Sequence, residues 1–118
     1  MPKHLEVHKL SGTSGEVAIV RLLDKKLIDP PIIQEIADEL SALVDEGHVR
    51  LVISFVNVES LISPALNALI RLSQKIAGKS GSLRLCSLSQ VIRDVYGATR
   101  LDTYFTIRPS EKEALADF

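Results

Sequence analysis

Apolar and polar positions alternate weakly from Leu5 through Val7 to Leu10, and Ser11-Gly12-Thr13-Ser14-Gly15 then supplies turn residues. The pattern predicts a β-hairpin. Its second arm, Glu16-Val17-Ala18-Ile19-Val20-Arg21-Leu22-Leu23, is an almost unbroken aliphatic run. Such a run suits a central strand covered on both faces. The prolines of Asp29-Pro30-Pro31 exclude a strand interior and suit a helix start. Ile32, Ile33, Ile36, Ala37, Leu40, Leu43 and Val44 then recur at helical spacing as far as Gly47.

Val49-Arg50-Leu51-Val52-Ile53-Ser54-Phe55-Val56 again reads as a buried strand, and residues 57–62 connect it to Ser63-Pro64. There the helical period returns: Leu66, Leu69, Ile70, Ser73, Ile76 and Ala77 share one face. Ser63 is expected as the N-cap, Pro64 as the first helical residue and Gly78 as the stop. Residues 82–86 read as a short strand, 88–96 as a helix ended by Gly97, 104–107 as a last strand and 110–115 as a last helix. Ser110-Glu111-Lys112-Glu113 matches a capping box. A strand pair followed by alternating helices and strands predicts an α/β fold, a mixed four- to five-stranded sheet covered by about four helices, in a single domain over residues 1–118.

The length of 118 residues suffices for one core, and 46% hydrophobic against 25% charged residues excludes a disordered chain. A net charge of -1 gives no overall attraction to nucleic acid or to an anionic membrane. No run approaches the ~20 apolar residues that span a bilayer, and Met1-Pro2-Lys3-His4 lacks the apolar stretch of a secretion signal, so a cytoplasmic location is expected. Cys86 is the single cysteine, which excludes an intrachain disulfide and fits a reducing compartment. With 4% aromatics and no Trp, stacking platforms for single-stranded nucleic acid are not expected.

Candidate chemistry is sparse. His4, His8 and His48 show no metal-ligand spacing and read as exposed or edge histidines. Gly78-Lys79-Ser80 mimics the tail of a phosphate-binding loop, but the earlier glycine would fall at Ser73 inside a helix and a strand follows where a helix is needed. Neither a Gly-x-Ser-x-Gly elbow nor a histidine close to Cys86 is present, so no nucleophile has a visible base. The expectation is a non-enzyme with no cofactor and no metal. Charge, by contrast, is uneven. Residues 24–46 carry seven acids against Lys25 and Lys26, a net -5, while residues 71–100 carry six bases against Asp94, a net +5. The two signs can face different partners.

The run Leu51-Val52-Ile53-Ser54-Phe55-Val56-Asn57-Val58-Glu59-Ser60-Leu61-Ile62-Ser63-Pro64-Ala65-Leu66-Asn67-Ala68-Leu69 resembles the signature of STAS domains, the domains of bacterial anti-sigma-factor antagonists and stressosome proteins. The similarity continues through Gly81 to Cys86, Val91 to Val95, and Leu101-Asp102-Thr103-Tyr104-Phe105 with its terminal helix. In that family the strand leads to an Asp-Ser-Ser-Gly-Leu type turn, whose first serine opens a helix and is phosphorylated by a partner kinase that is also the anti-sigma factor. Ser63 matches that serine and Leu66 the leucine. Ile62 stands in place of the aspartate, Pro64 of the second serine, Ala65 of the glycine, and Ser54 of an acidic residue common in the strand.

The resemblance implies a non-enzymatic regulator of transcription that docks on an anti-sigma serine kinase and is released by phosphorylation at Ser63. Asn57, Glu59, Ser60, Asn67 and Arg71 are the expected partner-binding residues. The alternative it implies is a stressosome-like scaffold, which assembles with other STAS proteins and has no switch of its own. Nucleic acid and membrane are not expected partners.

Overall fold

The computed structural model describes residues 3–12 and 15–116. In chain order the elements are β1 (Leu5–Gly12), β2 (Gly15–Leu22), β3 (Lys26–Leu27), α1 (Pro30–Asp45), β4 (Arg50–Ser54), β5 (Ser60–Leu61) and α2 (Ser63–Gly78). They continue with β6 (Ser82–Cys86), α3 (Gln90–Ala98), α4 (Leu101–Tyr104), β7 (Thr106–Arg108) and α5 (Glu111–Ala116). β1 and β2 form the expected antiparallel hairpin, from Leu5↔Leu22 to Gly12↔Gly15. Thr13 and Ser14 of its turn lie outside the described residues. β2, β4, β6 and β7 then pair in parallel, giving a five-stranded mixed sheet of order β1-β2-β4-β6-β7.

Period-two alternation sorts the strand residues onto two faces. Ala18, Val20 and Leu22 of β2, Leu51 and Ile53 of β4, and Leu85 of β6 face the main core. Ile33, Ile36, Leu40, Leu43 and Val44 of α1 close that core together with Ala65, Leu66, Leu69, Leu72 and Ile76 of α2. On the opposite face Val17, Ile19, Val52 and Cys86 pack on Ala114 of α5. This two-sided burial is why the β2 and β4 sequences read as unbroken apolar runs.

Some expected boundaries shift. Gly78 and Gly97 lie inside the last turns of α2 and α3, and the left-handed residues that follow are Ser80 (φ 58°) and Arg100 (φ 61°). Gly81 is the glycine the packing requires, because a Cβ there would run into the Val49 carbonyl oxygen and the Ile76 side chain. Tyr104 belongs to α4, so the last strand starts two residues later than its apolar pattern suggests. Of the capping box, the half in which Ser110 Oγ accepts the Glu113 N–H (3.3 Å) forms.

His4 fastens the start of β1 to its neighbours. Its ring Nδ1 lies 2.9 Å from Asp24 Oδ2 and its Nε2 2.7 Å from Glu35 Oε2, while its backbone N–H donates to Glu39 Oε1 at 3.0 Å. The hydrogen bond to Glu35, aided by the charges of Asp24 and Glu39 and opposed by burial, holds the imidazole pKa above its ordinary 6.5. A raised folded-state pKa contributes stability that is complete below the unfolded value and lost as pH rises through the folded one. Stability measured by urea denaturation is therefore expected to fall as pH rises above 6.5. His4→Gln is expected to flatten that slope; an unchanged slope would show that the clamp is not the titrating element.

Candidate docking site

β4 ends at Ser54, and the chain then runs to α2 through a connection fixed by the backbone. Phe55 N–H donates to the Cys86 carbonyl (3.0 Å) and Val58 N–H to that of Phe55 (2.9 Å). Glu59 and Ser60 N–H groups both reach the Lys25 carbonyl (2.7 and 3.3 Å), and Ile62 N–H reaches that of Leu27 (3.1 Å). β3 and β5 thus form a two-residue parallel ladder, Lys26↔Ser60 and Leu27↔Leu61. Asn57 Nδ2 donates to the Leu22 carbonyl at 3.2 Å, and the buried Val58 anchors the turn in the core.

Ser63 is the first residue of α2 and is exposed. It is not the N-cap expected from the sequence. Ile62 is extended (φ -117°, ψ 167°) and its carbonyl accepts the Ala65 N–H at 2.9 Å, so Ile62 holds the cap position and provides no side-chain bond there. Pro64 accordingly moves to the second helical position. The consequence for chemistry is direct: the Ser63 hydroxyl stands at the helix start with no capping duty.

Asn67 and Arg71 lie one and two turns further along the same exposed line of α2, four residues apart as neighbours on one helix face must be. Asn57 and Glu59 are exposed and Ser60 is half-buried. The expected partner-binding residues therefore fall on two adjoining stretches, the pinned connection and the outer face of α2.

Apolar residues at the same end of the sheet were not part of the expected site. Leu23 follows β2 and Val56, 59% exposed, follows β4, both just past the last β2–β4 pair, Arg21↔Ser54. Ile28 is exposed next to the Leu27–Ile62 bond, and Val91, 61% exposed, lies in the first turn of α3 after β6. The available signal was that both apolar runs, ending at Leu23 and Val56, outlast the ladder they build.

Across the sheet, Arg21 holds α5 down. Its Nε and Nη2 donate to Glu111 Oε2 and Oε1 (2.8 and 2.9 Å), and its Nη1 donates to Glu6 Oε1 (2.8 Å). The guanidinium keeps the Glu111 carboxyl below the usual carboxylate range. Cys86 is buried and its thiol is pushed up by that burial, so it is no ready nucleophile. Among the described residues no group of three or more His, Cys, Asp or Glu side chains is arranged to hold a metal ion, and no helix is long and apolar enough to cross a membrane. What the arrangement offers is a surface.

The sequence model of the STAS domain matches residues 10–114. BtrV of Bordetella bronchiseptica, named as a candidate anti-sigma factor antagonist, is 26% identical over 85 residues, covering 72% of this chain and 73% of BtrV. An anti-sigma-factor antagonist (STAS) domain protein from Planctomyces limnophilus has a similar structure, with a TM-score of 0.82 at 21% identity over 96% of each chain. The Bacillus cell fate determinant SpoIIAA in its phosphorylated form gives 0.68 at 16% identity, over 96% of this chain and 97% of its own. At these identities both structures establish the fold.

The displaced cap has a measurable consequence. Ser89 caps α3 with Oγ 3.3 Å from the Ile92 N–H, so Ser89→Ala is expected to cost about 1 kcal/mol. Ser63→Ala is expected to leave the thermal midpoint nearly unchanged. A comparable loss at Ser63 in thermal unfolding would contradict the assignment of the cap to Ile62.

Proposed function

The chain belongs to the STAS domain family, and from that membership we propose that it works by binding, as an anti-sigma-factor antagonist that docks on an anti-sigma serine kinase and so frees a sigma factor. The observation that carries this reading is the exposed, non-capping Ser63 at the junction of a pinned connection and an open helix face. The docking surface comprises Asn57, Glu59, Ser60, Asn67 and Arg71, with Leu23, Ile28 and Val56 as its apolar part. Its chemistry belongs to the partner, and such partners place its action in the cytoplasm.

Phosphorylation of Ser63 would add about -1.5 to -2 charges and three acceptor oxygens at a helix start, where the dipole tolerates an anion. Pro64 gives up an N–H that has no intrahelical partner in the first turn. The framework therefore persists while the docking surface, in which Glu59 and Arg71 balance, becomes negative, and the new charge repels acidic groups of a partner and must be desolvated to bind. SpoIIAA, solved in a phosphorylated form with the same fold, supports a switch of this type. Ile62 and Ala65, which replace the family's aspartate and glycine, favour a second reading, an assembly subunit that docks among other STAS proteins without a working switch.

Incubation with the cognate anti-sigma kinase and ATP separates the two. The switch predicts phosphate on Ser63 by mass spectrometry and binding of Ser63→Asp weakened by at least about tenfold, ~1.4 kcal/mol. An unmodified Ser63, together with unimpaired binding of Ser63→Asp, would remove the switch and leave the assembly reading.

A further inference from the structure

α1 and α2 lie side by side over one face of the sheet and carry opposite charge. α1 bears Glu35, Asp38, Glu39 and Asp45 with no base; α2 bears Arg71 and Lys75 with no acid. Both helices return the chain between parallel strands, so they run in the same direction. Lys75 sets their relative height, because its Nζ lies 2.8 Å from Asp45 Oδ1 and also bonds Ser41 Oγ. One turn earlier, Asp38 of α1 and Arg71 of α2 line the same groove, together with Ala37, Ala68 and Leu72. Asp38 accepts a bond from Gln34 Nε2 at 2.9 Å, and Arg71 is exposed with no ion-pair partner among the described residues.

We infer that this face is a self-complementary interface for a second copy of the chain. Two such faces can meet about a two-fold axis across the helices or along them. The axis across lays α1 on α1 and acid on acid. The axis along lays each α1 on the partner's α2 and keeps residue heights, so each Asp38 meets the Arg71 of the other copy, in two equivalent pairs. Charge selects the second arrangement, and the small floor residues let the helices approach. Two 16-residue helices, each about 24 Å long and roughly 10 Å apart, present about 500 Å² per copy. That is near the lower limit for a specific interface, so the dimer is weak, reversible and salt-sensitive.

The inference does not depend on modification of Ser63, and its test needs no partner protein. Sedimentation velocity of the intact chain over a concentration series is expected to show a monomer–dimer equilibrium at low salt that shifts to monomer near 1 M salt. Asp38→Arg and Arg71→Glu are each expected to weaken dimerisation by at least about tenfold, with circular dichroism unchanged. Mixing these two variants restores opposite charges in both pairs: the introduced arginine of one copy faces the introduced glutamate of the other, and the second pair keeps its native Asp38 and Arg71. An equimolar mixture is therefore expected to regain a dimer, as is the double variant. A wild type that stays monomeric throughout would overturn the proposal, and so would folded single variants that stay monomeric when mixed. Single variants that dimerise as tightly as wild type would overturn it too. Because Arg71 also belongs to the docking surface for the anti-sigma partner, Arg71→Glu that loses kinase binding but dimerises like the wild type would overturn the dimer and leave that surface standing, whereas lost dimerisation with unimpaired kinase binding would count against that surface alone.

Discussion

Burial of β4 on both faces is the constraint on which the rest depends. Leu51, Val52, Ile53 and Ser54 are each fully buried, with Leu51 and Ile53 against α1 and α2 and Val52 against the cluster under α5. Fully burying a side chain such as Leu51, Val52 or Ile53 is worth about 1.5–3 kcal/mol, and a one-residue slip would move each of them to the opposite face. The register is therefore fixed, and with it the point where the chain leaves the sheet, the path of residues 55–62 and the first turn of α2. Ser63 owes its position to the core, not to bonds of its own. Ile62, Pro64 and Ala65 can therefore depart from the family pattern without moving the start of α2.

Charged groups work at the periphery of this frame. His4 ties β1 to α1, Arg21 ties α5 to β2 and β1, and Lys75 ties α2 to α1. Each clips an outer element that the sheet alone would hold by one side. With those groups engaged, the binding end is left to apolar residues, to the uncommitted polar side chains of α2 and to the Ser63 hydroxyl.

Elements with a long period were legible in the sequence, and those set by distant partners were not. The β2 and β4 runs, the Pro30-Pro31 start of α1 and the Ser63-Pro64 boundary all carry local signals, and the structure follows them. The β3–β5 ladder has two residues per strand, too few to show a period, so residues 57–62 read as a plain connection. The pairing of Arg21 with Glu111 spans 90 residues of sequence and leaves no local trace. Serine's preference for the cap position points to Ser63, but the tertiary bond from Ile62 N–H to the Leu27 carbonyl holds Ile62 in place, and its own carbonyl accepts the Ala65 N–H, so the helix starts one residue sooner. The junction between residues 57–62 and α2 was thus visible, while its backbone anchoring and the exposed apolar residues beside it depend on contacts between segments far apart in the chain.

The proposed docking end is built before any partner arrives. Amide hydrogen exchange of the free chain tests it most directly. The Glu59, Ser60 and Ile62 amides, bonded to Lys25 and Leu27, are expected to exchange slowly, together with the sheet. Exchange of those three amides at the rate of an unstructured peptide, with protection appearing only on partner binding, would contradict it.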